Sequence, residues 1–153
     1  MLRISKLSDY AIMVMVELSA QAGEIVSAHE LAERTHLELP TVSKVLKLLG
    51  RAGLVQSFRG INGGYRMEKD AASTSVAQVI EAIEGPIAMT ECSVEEGLCS
   101  QEALCSLRSN WQRISSAVAR AMEGVSLAEM AKPLPRIEPA LKIATLNSQD
   151  AHP

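Results

Sequence analysis

Residues 40–67 read PTVSKVLKLLGRAGLVQSFRGINGGYRM, and this stretch decides the fold. Its first half places Val42, Val45, Leu46 and Leu49 on one face of a helix. Pro40, with φ already near the helical value, suits the first turn, and Gly53 suits the position just past the end. A helix is predicted over 40–52. Two strand-like runs follow at 54–59 and 65–67, joined by Gly60-Ile61-Asn62-Gly63-Gly64, a connection of hairpin type.

Toward the N-terminus, Leu7, Ala11, Val14 and Leu18 recur at helical spacing and predict a helix over 6–20. Ser27-Ala28-His29-Glu30 reads as a capping box, the serine hydroxyl accepting from the Glu30 N–H and the Glu30 carboxylate reaching back. A short helix over 28–35 follows, with a break at His36-Leu37. Three helices and a hairpin in this order make a winged helix-turn-helix. The fold class is mainly α with a small β-hairpin wing.

Toward the C-terminus, Ser75 can cap a fourth helix through Ile83, which Gly85-Pro86 ends. Leu107, Trp111, Ile114, Val118, Ala121 and Val125 then alternate at spacings of four and three, a seam suited to a partner helix. A long dimerisation helix is expected. Beyond Lys132, Pro133, Pro135 and Pro139 interrupt any period. The organisation read from this is a DNA-binding domain at 1–70, a unit of helix, cysteine loop and dimerisation helix at 71–130, and a flexible tail at 131–153.

A net charge of −3 argues against nucleic acid until its distribution is considered. Residues 39–69 hold six basic side chains (Lys44, Lys47, Arg51, Arg59, Arg66, Lys69) and one acid, Glu68. Residues 81–102 hold six glutamates and no base. Only the basic block suits a polyanion. With the valines and leucines inward, Thr41, Ser43, Lys44 and Lys47 face out, where a recognition helix meets base edges and phosphates. Arg59, Gly60, Ile61 and Asn62 form the wing tip. Small residues there let backbone approach DNA, and an arginine suits a narrow minor groove. A solvated lysine face is the ordinary alternative for the helix alone; the wing tips the balance toward double-stranded operator DNA.

The apolar stretch at 10–16 is too short for a signal peptide or for a membrane span of about 20 residues. A cytoplasmic chain without a membrane partner is expected, where thiols stay reduced. Three cysteines, an odd number, then suggest ligation or reactivity in place of a disulfide framework. Cys92, Cys99 and Cys105 are spaced by seven and six, which fits neither paired zinc knuckles nor a thioredoxin motif. Three thiolates on one loop can hold an iron–sulfur cluster. Neighbouring glutamates disfavour a free thiolate and leave deprotonation to a metal. Three separate core cysteines are the plainer alternative.

The runs AGLVQSFRGINGGYRM (52–67) and VIEAIEGPIAMTEC (79–92) together resemble the iron–sulfur-dependent winged-helix regulators of the IscR and NsrR type. The resemblance covers about 1–130, and within the family it is most similar to regulators of the SUF iron–sulfur assembly operon. It implies a homodimeric operator-binding repressor with one cluster, 2Fe-2S or 4Fe-4S, per subunit. IscR-type members place a histidine three residues after the last cysteine; here Arg108 stands there. In the nitric-oxide-sensing branch an early aspartate supplied by the partner subunit completes the ligand set, and Asp9 in KLSDYAI (6–12) matches it. An aspartate in a first helical turn also simply complements the helix dipole. Glu91, Glu95, Glu96 and Glu102 are further candidates. The alternatives from other classes are a thiol-dependent redox enzyme and a cluster-free winged-helix regulator. No cysteine neighbours a histidine in sequence, which disfavours the enzyme.

Overall fold

The computed structural model describes residues 3–133 of the 153, apart from residues 22, 95–96 and 101–103. Helix α1 (Lys6–Ala20) opens on Ser5, whose hydroxyl accepts from the Ser8 N–H, and it buries Ala11, Ile12, Val14, Met15 and Leu18. Helix α2 (Ala28–Thr35) opens on Ser27, which accepts from the Glu30 N–H at 3.1 Å. The other half of the expected capping box does not form. The Glu30 carboxylate instead takes Arg34 at 2.6 Å, one turn along. A charged donor competes better for that carboxylate than a neutral backbone amide does. Arg34 also reaches Glu17 at 3.3 Å, so α2 is tied to α1.

The chain turns at His36, which holds a left-handed φ of 54°. Helix α3 (Leu39–Arg51) follows, one residue earlier at each end than its apolar spacing predicts. Val42, Val45, Leu46 and Leu49 are all fully buried. Removing a Val or Leu side chain from water contributes about 1.5–3 kcal/mol, which is what fixes the rotation of this helix.

Strands β1 (Val55–Phe58) and β2 (Gly64–Met67) pair antiparallel, Val55 opposite Met67 and Phe58 opposite Gly64. Two glycines here answer to crowding by the protein itself. A Cβ on Gly63 would stand 2.5 Å from the Phe58 carbonyl oxygen, and one on Gly64 would stand 2.5 Å from that of Val26. Val26, just before α2, pairs with Tyr65 through two backbone hydrogen bonds of 2.9 and 2.8 Å. The wing is thereby stitched to the entrance of α2.

After a 3-10 turn (Ala71–Ser73), helix α4 (Val76–Glu84) begins with a complete capping box between Ser75 and Gln78 and stops at Gly85. Helix α5 (Glu91–Val94) is a single turn inside the segment expected to be an irregular loop. Helix α6 (Arg108–Glu123) and a short α7 (Leu127–Met130) complete the described residues. The seam expected to run to Val125 ends sooner. Gly124 closes α6, and the Val125 carbonyl accepts from the Val76 N–H at 2.9 Å, so Val125 leaves the helix to pair with the start of α4. Leu107 occupies the N-cap position of α6.

One hydrophobic core runs through the molecule. Val76, Val79, Ile80 and Leu127 belong to the same buried cluster as the side chains of α1, α2 and α3. No described helix is long and apolar enough to cross a membrane. The tail expected at 131–153 lies, from residue 134 onward, outside the described residues.

Candidate nucleic-acid interface and cysteine loop

Burying four apolar side chains of α3 turns the opposite face outward. Ser43, Lys44 and Lys47 are exposed and Thr41 is half-buried. At the hairpin tip Arg59, Gly60, Ile61 and Asn62 are all exposed, Ile61 completely. The other wing arginine has a different task. Arg66 donates to Gln56 Oε1 at 3.0 Å, and its guanidinium lies 5.0 Å from the Phe58 ring centroid. This cross-strand brace stiffens the hairpin, while Arg59 stays outward.

The cysteines occupy unlike settings. Cys92 sits on α5 and is 7% exposed, whereas Cys99 and Cys105 are half-buried. The single turn of α5 carries this thiol as its one buried residue. Thr90 Oγ1 lies 3.2 Å from Cys92 Sγ. Among the described residues no three His, Cys, Asp or Glu side chains gather closely enough to hold one metal ion. The donor chemistry, three thiols carried within fourteen residues (92–105), nevertheless suits a cluster, which is larger than one ion and is held by thiolates on different irons. Arg108 is the first residue of α6. Glu91 is exposed on α5, and Glu95, Glu96 and Glu102 lie outside the described residues.

Asp9 is exposed on the first turn of α1. It lines a groove of about 830 Å³ between α1, the end of α4 and α6, together with Ile12, Glu84, Met89, Val118 and Met122. The wall of that groove is locked by a contact that sequence reading missed. Glu84 Oε1 accepts from the buried Ser8 hydroxyl and from the Ser5 N–H. The Ser8 hydrogen bond, aided by those of Ser5, holds the Glu84 carboxyl below its ordinary value against the opposing effect of desolvation. A depressed folded pKa stabilises the native state above the usual carboxylate range, and that stabilisation is lost as pH falls through the folded value. Urea midpoints of wild type and Glu84→Gln should therefore differ at neutral pH and converge in acid. Equal midpoints at every pH would show the contact to be energetically silent.

On α6, Trp111 is 37% exposed and Ile114 43% exposed, Ala121 is exposed and Val118 is half-buried. An amphipathic helix whose large apolar side chains stay this open offers a surface for a second molecule.

A helix-turn-helix with an outward basic face and a braced hairpin defines the protein as a winged-helix transcription regulator. The model of the Rrf2 family, described as iron-dependent transcriptional regulator, matches residues 4–133, and the chain belongs to that family. The HTH-type transcriptional regulator IscR of Aliivibrio salmonicida is 30% identical over 131 residues, covering 84% of this chain and 77% of that protein. The structure of CymR, the global cysteine regulator of B. subtilis, matches with a TM-score of 0.65 at 29% identity, over 86% of this chain and 97% of that one. IscR of T. potens shares the fold, with a TM-score of 0.62 at 24% identity, over 84% of this chain and 85% of that one. These relatives are transcription regulators and not enzymes, which sets aside the thiol-dependent redox enzyme.

Proposed function

We propose that the protein is a cytoplasmic homodimeric repressor that reads operator DNA with α3 and the wing and answers to an iron–sulfur cluster. Thr41, Ser43, Lys44 and Lys47 enter the major groove, and Arg59, Gly60, Ile61 and Asn62 lie on the adjacent minor groove. Cys92, Cys99 and Cys105, with Asp9 of the partner subunit, hold the cluster. The genes controlled are those of iron–sulfur assembly. The functional division falls at 70/71, with 1–70 reading DNA and 71–130 sensing and dimerising. The observation that carries the reading is the split character of α3, one face wholly in the core and the other presenting exposed Ser43, Lys44 and Lys47 beside a half-buried Thr41.

The family description and the IscR relative support iron dependence. A second reading, a cluster-free regulator of the same fold, draws on the lack, among the described residues, of any three His, Cys, Asp or Glu side chains placed to hold one metal ion.

The test of DNA reading is salt-dependent affinity for duplexes carrying the upstream region of its target genes. An exposed arginine at a hairpin tip contributes phosphate and narrow-groove contacts that tolerate sequence change. Arg59→Ala should weaken binding to all sequences and lower the slope of log K against log salt by about one unit. Unaltered affinity at low salt would remove the wing from the interface.

A further inference from the structure

Helix α6 keeps one side chain out of water: Ser115, at 4% exposure, is its only buried residue. A serine in mid-helix ordinarily faces solvent or bonds the carbonyl one turn back. Ser115 Oγ instead accepts the N–H of Met89 at 3.0 Å, across 26 residues of sequence. Met89 immediately precedes the turn that presents Cys92. Thr90 Oγ1 stands 3.2 Å from Cys92 Sγ and 2.8 Å from Ser93 Oγ, and the Thr90 carbonyl accepts the Ser93 N–H at 2.9 Å. Met89 also lines the groove that holds Asp9.

We propose that Ser115 is a positioning residue: through the Met89 amide it holds the Thr90–Cys92 turn against α6 and so passes the state of Cys92 to the dimer helix. The inference rests on reading the cysteine loop as the sensor. An amide partly withdrawn from water needs an acceptor, and within this contact Ser115 supplies it. Coupling between sites requires an element with two arrangements, and a single part-buried hydrogen bond, made or broken, is such an element.

Two variants separate the hydroxyl from the space it fills: Ser115→Ala removes the acceptor and Ser115→Thr keeps it. In metal-stripped, reduced full-length protein, iodoacetamide labelling is followed at each cysteine by mass spectrometry. Ser115→Ala should raise the Cys92 rate about tenfold, as local opening exposes that thiol, with Cys99 unchanged and Ser115→Thr near wild type. The second measurement is duplex affinity of protein reconstituted anaerobically with iron and sulfide, set against stripped protein. Ser115→Ala should stay dimeric and lose most of the wild-type difference between the two forms. A wild-type labelling rate together with a wild-type affinity difference overturns the proposal, as does faster labelling at all three cysteines, which marks general unfolding. If wild type itself binds DNA equally in both forms, the sensor reading fails, and the labelling rate alone still decides whether Ser115 holds the Cys92 turn.

Discussion

Alanine at any one of Cys92, Cys99 or Cys105 is expected to remove most of the visible absorption of protein purified without oxygen. The chain has three cysteines in all, so no spare sulfur can replace a lost ligand. Thiolate-to-iron charge transfer supplies the colour, and wild type should contain iron and sulfide in near-equal amounts. The three variants should separate in stability. Cys92 is buried and its loss leaves a small void beside α6, costing on the order of 1 kcal/mol, while the half-buried Cys99 and Cys105 should cost less. Asp9→Ala is a subtler case, because a carboxylate is a hard ligand for a soft site. It should leave assembly intact and make the cluster labile or shift its spectrum. Zinc without iron in aerobic and anaerobic preparations alike would sink the iron–sulfur reading. A triple cysteine-to-alanine variant that still represses and responds normally would move the sensor elsewhere.

The second large effect is expected at α6. Replacing Ile114 and Val118 with aspartate places unpaired charge on the apolar seam, at a cost of several kcal/mol if that seam is covered in the native assembly. Sedimentation should then report monomers, and operator affinity should fall with the loss of the second half-site. Ile114 is 43% exposed in the single chain, so Ile114→Asp alone leaves the monomer fold intact and is the cleaner version. Val118 is half-buried against the groove beside α1, so its substitution also burdens the monomer. A double variant that still sediments as a dimer would mean that another surface carries the association.

Much of this architecture was legible in the amino-acid order because local chemistry dictates it. Ser27 and Ser75 each begin a helix, the bounds of α1 follow from its apolar period, and those of α2 follow from cap and period together. The outward set on α3 follows from the inward set. What escaped was long-range or competitive. Glu30 abandons its cap because Arg34 is within reach. Val125 leaves the seam because Val76, at the start of α4 and 49 residues earlier, offers an N–H. Cys92 is buried by a helical turn too short to show a period. No pattern reveals what Ser8, Glu84 and Ser115 bond to, and their partners are known only once the chain is folded.

The pairing of Val26 with Tyr65 joins the hairpin to the base of the helix-turn-helix by a two-residue splice. On the proposed reading, the major-groove and minor-groove readers then form a rigid ruler. Neither can swing to rescue a contact that the other has lost. Inserting or deleting one base pair between the two contact zones of a single half-site should be punished as heavily as changing a contacted base. Adaptation to differently spaced operators has to come from the way two rulers are joined, at α6.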